Sequence, residues 1–158
     1  MIGVPIYLVL IGVFLVATGG EALYAAGGFT TAGGVPANSI ARWDGSAWSA
    51  VGGGIDMGSI SALVVFDDGT GPALYAGGQF VIGGGAVRYI AKWDGSSWSP
   101  LGSGMGGGSY PYIHALAVSG SDLYAGGSFD LAGGGYGTNI AKGDGRNWSE
   151  LGAVGNGA

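Results

Sequence analysis

The chain repeats itself about every fifty residues, and that period limits its architecture more than any other feature. Leu23-Tyr24-Ala25 returns as Leu74-Tyr75-Ala76 and Leu123-Tyr124-Ala125, with Phe29, Phe80 and Phe129 six residues after each Leu. Ile40-Ala41 returns as Ile90-Ala91 and Ile140-Ala141, each followed by a cation: Arg42, Lys92, Lys142. Asp44-Gly45, Asp94-Gly95 and Asp144-Gly145 come next. Trp48-Ser49, Trp98-Ser99 and Trp148-Ser149 close each unit, with Gly52, Gly102 and Gly152 four residues after the Trp.

Within a unit the apolar segments are too short for helices and are bounded by Gly, Asp and Ser, which is the strand signature. The second unit predicts four strands, at about 59–66, 73–80, 88–94 and 97–101, with a glycine-rich loop over 81–87 between the middle two. Asp-Gly between two short strands is a hairpin signal, because Gly takes positive φ without a Cβ clash. Four antiparallel strands per fifty-residue unit predict an all-β chain of three β-propeller blades. Their bounds are about 8–54, 55–104 and 105–158. A β-solenoid is the competing architecture, with shorter coils. Blades cover one another on both faces, which blurs the apolar/polar alternation of a one-sided sheet. Ile60-Ser61-Ala62-Leu63-Val64-Val65-Phe66 does lack clean alternation.

The composition needs this reading. The 38 Gly and 5 Pro among 158 residues, about 27%, fall in the range of low-complexity chains. Yet aromatics are 11% and charged residues only 9%, the reverse of a disordered chain. The net charge of −5 and five scattered cations exclude the basic face that a nucleic-acid binder needs. With no Cys and one His, disulfides, thiolate metal sites and a thiol nucleophile are excluded. No cofactor and no metal are expected.

The first twenty residues carry no charged side chain. Val13-Phe14-Leu15-Val16-Ala17 occupies the place of the first strand of blade 1, and that reading is preferred. A signal or membrane segment over 1–20 is the alternative, with no basic n-region to support a signal and with Pro5 and Gly12 interrupting a span.

The unit resembles the kelch-type propeller repeat, the blade also found in galactose oxidase-like proteins. Leu74-Tyr75-Ala76-Gly77-Gly78, Trp93-Asp94 and Trp98 match its aliphatic-Tyr segment ending in Gly-Gly, its aromatic-Asp and its Trp. Leu123-Tyr124-Ala125-Gly126-Gly127 and Trp148 match again, with Gly143 in place of the aromatic. In unit 1, Ala26-Gly27-Gly28 suggests a glycine pair shifted by one. The chain is also similar to propeller-like repeats of secreted bacterial proteins. That likeness implies an extracellular or cell-surface setting, a cytoplasmic one staying open. The copper centre of galactose oxidase-like enzymes needs two His and a Cys-linked Tyr, which this sequence lacks.

The recurring Tyr24, Tyr75, Tyr124, Asp44, Asp94, Asp144, Trp48, Trp98 and Trp148 are read as structural. Each Asp starts a hairpin turn, where its side chain bonds the backbone two residues on. The Trp residues pack blades together. Asp67-Asp68-Gly69 lacks the spaced oxygen ligands of a calcium loop and is read as a turn. His114 is read as an isolated strand residue. Asn147-Trp148-Ser149 matches a glycosylation acceptor beside a packed Trp and is expected to go unused. By analogy with other propellers, a ligand would sit on the face formed by the loops between the second and third strands and between blades. The residues there that differ between units are Asp56, Arg88, Tyr110, Tyr112 and Asp130.

Three blades are fewer than the four to eight of typical closed propellers. The expected function is a non-enzymatic extracellular structural or interaction module. Its expected partner is itself, as a homodimer completing a six-bladed ring or as a filament. A carbohydrate-binding propeller with glycan partners, other protein partners, a hydrolase or lyase on the propeller face using acids such as Asp56 and Asp130, and a fragment of a larger secreted propeller enzyme are the alternatives.

Overall fold

In the computed structural model, which describes residues 13–19, 22–85, 87–102, 104–106, 111–132, 135–136 and 139–151, each unit folds as one four-stranded antiparallel sheet. Blade 1 holds β1 (Val13–Gly19), β2 (Ala22–Gly27), a small hairpin β3 (Thr31–Ala32) and β4 (Val35–Pro36), then β5 (Ile40–Trp43) and β6 (Trp48–Ala50). Blade 2 holds β7 (Met57–Asp67), β8 (Pro72–Ile82), β9 (Val87–Trp93) and β10 (Trp98–Pro100). Blade 3 holds β11 (Met105–Gly106), β12 (Tyr112–Ser119), β13 (Asp122–Ser128), β14 (Leu131–Ala132), β15 (Gly135–Tyr136), β16 (Ile140–Gly143) and β17 (Trp148–Glu150). The blade orders are β1-β2-β5-β6, β7-β8-β9-β10 and β12-β13-β16-β17. The first strands β1, β7 and β12 lie side by side, and the described residues do not close a ring. The segment Val13–Gly19 is thus the first strand of blade 1, paired along β2. Among the described residues, no helix is long and apolar enough to cross a membrane.

The predicted loop over 81–87 is shorter than expected. β8 continues to Ile82 and β9 begins at Val87, leaving a tight turn at Gly83–Gly85. In blade 3 the same region separates into its own sheet, β11-β14-β15.

Cross-strand register explains the glycine pair. Each first strand carries a bulge, at Val13/Leu15, Ile60/Ala62 and Ile113/Ala115. The second glycine of the pair lies opposite that bulge. A Cβ on Gly78 would stand 2.2 Å from the Ser59 carbonyl oxygen, and one on Gly127 2.0 Å from that of Tyr112. The register also corrects the reading of unit 1. Ala26 pairs with Ile40 as Gly77 pairs with Ile90, and Gly27 lies opposite Val13 as Gly127 lies opposite Ile113. The pair is not shifted: its first glycine is replaced by Ala26 and its second is kept.

Two apolar clusters fill the seams between blades. The first includes Ala26, Ile40, Ile60, Leu74 and Trp93 between blades 1 and 2. The second includes Phe66, Tyr75, Ile90, Ile113, Leu123 and Trp148 between blades 2 and 3. Paired residues share a face, so each blade has a front that meets the next blade and a rear that meets the previous one. Tyr24-Arg42-Ser49, Tyr75-Lys92 and Tyr124-Lys142-Ser149 lie on fronts. Leu23-Trp43-Trp48, Leu74-Trp93-Trp98 and Leu123-Gly143-Trp148 lie on rears.

Candidate functional site

The residues expected on the loop face separate into two small groups. The Asp56 carboxylate accepts a hydrogen bond from the Gly84 amide at 2.7 Å, and Arg88 Nε donates to the Gly85 carbonyl at 3.3 Å. Both side chains therefore brace the Gly83–Gly85 turn of blade 2. Tyr112 lies on blade 3 with its ring 4.5 Å from that of His114. Asp130 is exposed in the turn before β14, and Tyr110 lies outside the described residues. His114 is less isolated than its sequence context suggests. It is the bulge residue of β12, at the position Ser61 holds in β7.

The Asp-Gly turns are built alike in all three blades. One Asp44 oxygen accepts the Ser46 and Ala47 amides, both at 2.9 Å, and the Ser46 hydroxyl at 2.8 Å. Asp94 accepts the amides of Ser96 and Ser97, and Asp144 those of Arg146 and Asn147. Gly45, Gly95 and Gly145 follow at φ 99°, 101° and 87°, a conformation costly for any residue with a Cβ. Backbone donors favour the carboxylate form, so Asp44 and Asp94 are each lowered to about 2, and Asp144 is lowered too. Asp67 and Asp68 likewise spend oxygens on their own turn, on the amides of Gly69, Gly71 and Thr70.

Asp68 does more than hold a turn. Its side chain is 2% exposed, and one oxygen lies 2.7 Å from Lys92 Nζ and 3.6 Å from Arg146 Nε of the next blade. Burial opposes its ionisation, but hydrogen bonds from Lys92 and Thr70 outweigh that and hold it well below the ordinary carboxylate value. Beside it, Tyr75 donates to the Gly145 carbonyl across the seam at 3.4 Å. Burial and the neighbouring Asp68 charge both raise the Tyr75 phenol. A Cβ on Gly145 would meet Asp68, Phe66 and Tyr75 within 2.8 Å, so the blades interlock there. In blade 3 the corresponding cation, Lys142, pairs with Asp122 at 2.8 Å on an open surface.

Further contacts cross the seams. The Ser61 hydroxyl donates to the Ile113 carbonyl, and Trp98 Nε1 donates to the Val51 carbonyl at 3.2 Å. In blades 1 and 2 the paired indoles Trp43–Trp48 and Trp93–Trp98 tilt against one another at 5.5 and 5.4 Å. In blade 3 Gly143 leaves room for Trp148 to lie over the strand, 2.9 Å from where a Cβ would stand. A cleft of about 440 Å³ remains in the seam between blades 1 and 2, lined by Tyr24, Arg42, Ser49 and Trp93 among others.

The two outer faces differ from the seams at equivalent positions. Ile40 and Ile90 are fully buried on the fronts of blades 1 and 2, whereas Ile140 is half-buried on the front of blade 3. Leu74 and Leu123 are buried on the rears of blades 2 and 3, whereas Leu23 is half-buried on the rear of blade 1. Trp93 is buried and Trp43 half-buried. Val51 and Leu101, following the last strands of blades 1 and 2, are 1% and 2% exposed; Leu151 is 45% exposed. The rear of blade 1 and the front of blade 3 therefore carry the seam's own chemistry without a described neighbour. Compared with known proteins, the chain matches no family model and no curated protein sequence.

Proposed function

We propose that this chain is a non-enzymatic structural or interaction module of kelch-like propeller blades, working outside the cell through its two outer blade faces. The observation that carries the reading is the contrast between Val51 or Leu101 and Leu151, with the matching contrasts at Ile140 and Leu23. Apolar side chains left accessible at positions that are buried in the seams mark the outer faces as interaction surfaces. Of the loop-face acids, Asp56 is engaged in a structural contact, accepting from the Gly84 amide. Hydrogen exchange at increasing protein concentration tests the reading. Protection should rise in β1, β2, β13 and β16 and stay constant in β8 and β9. Exchange independent of both concentration and added partner at the outer strands would contradict it.

Carbohydrate binding is a second reading, favoured by one observation: the cleft that places Tyr24 and Trp93 with Arg42 and Ser49. Aromatic faces with a few polar groups suit a sugar ring. Calorimetric titration with simple sugars, repeated on Tyr24→Ala, tests it; heat that Tyr24→Ala does not alter would remove this cleft as the site.

A further inference from the structure

We infer that the occupant of the two outer faces is a second copy of the chain, docked head to tail, with the front of blade 3 on the rear of blade 1. This rests on the reading of those faces as interaction surfaces and names their partner. The chain already contains the interface twice. The front of blade 1 meets the rear of blade 2, and the front of blade 2 meets the rear of blade 3, using the same register positions. The front of blade 3 repeats that front pattern with Tyr124, Ile140, Lys142 and Ser149. The rear of blade 1 repeats that rear pattern with Leu23, Trp43 and Trp48. Two surfaces that each match one half of an existing seam match one another.

Each seam supplies one hydrogen bond as a template for the new contact; the buried Trp148 Nε1, equivalent to that of Trp98, has no partner among the described residues. Trp98 Nε1 bonds the Val51 carbonyl of the preceding blade. The same step places Trp48 Nε1 on the Leu151 carbonyl of the second copy. Tyr75 bonds the Gly145 carbonyl of the following blade. The same step places the Tyr124 hydroxyl on the Gly45 carbonyl of the second copy. Ala115, exposed on the front of β12, would be covered as its equivalent Ala62 is covered in β7.

A head-to-tail contact closes into a ring only if the rotations sum to a full turn. Closed propellers run from four to eight blades, and six is the multiple of three within that range. With three blades from each copy, the closed assembly is two copies, each supplying one front and one rear to two identical seams.

Native mass spectrometry of wild type, Leu23→Arg and Ile140→Arg tests this, with circular dichroism confirming that each variant is folded. Leu23→Arg blocks the rear and Ile140→Arg blocks the front. Wild type should give twice the 15.4 kDa chain mass, and each variant alone should give one chain. Mixed, the two variants retain one competent seam and should form a heterodimer. Trp48→Phe, which keeps a ring but loses the N–H, should weaken the closed two-copy assembly about thirtyfold, the worth of two net hydrogen bonds, one in each seam, near 1 kcal/mol apiece. Dimers that persist in either variant alone, with no heterodimer preference on mixing, would overturn head-to-tail docking and leave the faces as interaction surfaces. A ladder of masses above two copies would overturn the closed ring. A folded wild-type monomer at every concentration would overturn the second copy as occupant.

Discussion

Asp68→Asn removes a carboxylate that joins blade 2 to blade 3 while keeping nearly the same volume. Its side chain is 2% exposed and that of Lys92 16% exposed, so the pair is largely out of water. Removing one partner of a buried pair costs about 3–5 kcal/mol, because the other charge stays buried without compensation. The Lys92 amine keeps some access to water, which places the cost near 3 kcal/mol. For a chain of this size, 1 kcal/mol shifts Tm by roughly 2–4 °C, so the loss should be about 6–12 °C. Asp122→Asn is the control. Asp122 and Lys142 are 28% and 39% exposed, and exposed pairs contribute about 0–1 kcal/mol. The assay is urea unfolding followed by tryptophan fluorescence at pH 7, with both variants beside wild type. The pH arm has a definite sign. Asp68 is held below its unfolded value, so its contribution is fully present above about pH 4 and fades as pH falls further. The gap between wild type and Asp68→Asn should narrow only in acid. Equal losses in the two variants, both under about 1 kcal/mol, would refute the argument that the seam buries this charge.

Four other outcomes follow from the same geometry. Gly127→Ala should cost about 3 kcal/mol or fail to fold, since its Cβ meets a carbonyl oxygen. Gly126→Ala, one residue away with its nearest contact at 3.8 Å, should stay within about 1 kcal/mol of wild type by chemical denaturation. Ser39→Gly should raise stability by about 1 kcal/mol, because Ser39 sits at φ 65° in the left-handed region. Acid titration by circular dichroism should show stability falling between about pH 4 and pH 2, as Asp44 and Asp94 lose the charge their turn amides favour; Asp44→Asn with Asp94→Asn should flatten that fall.

The blades were legible because one period carries the same residue types to the same register. Leu-Tyr-Ala, Ile-Ala-cation and Asp-Gly-x-x-Trp each land on one strand or turn in all three blades. What the sequence hid is backbone conformation that recurs without a shared residue type. The bulge position holds Phe14, Ser61 and His114, and the left-handed position just before Ile40, Ile90 and Ile140 holds Ser39, Tyr89 and Asn139. The signal for the bulge was the second glycine of each pair, read by spacing when its cause lies across the strand. Asp56 and Arg88 stood out because they differ between blades; their hydrogen bonds to the Gly83–Gly85 turn of blade 2 are not legible from spacing. The outer faces were hidden for another reason. Leu151 and Val51 are alike in sequence context, and only the structure shows the one exposed and the other buried.

The most direct test of the account is the mass of the folded wild-type chain in sedimentation velocity across a hundredfold range of concentration. Head-to-tail docking of two copies gives a boundary at twice the 15.4 kDa chain mass, dissociating on dilution. A single folded species at one chain mass throughout would contradict it.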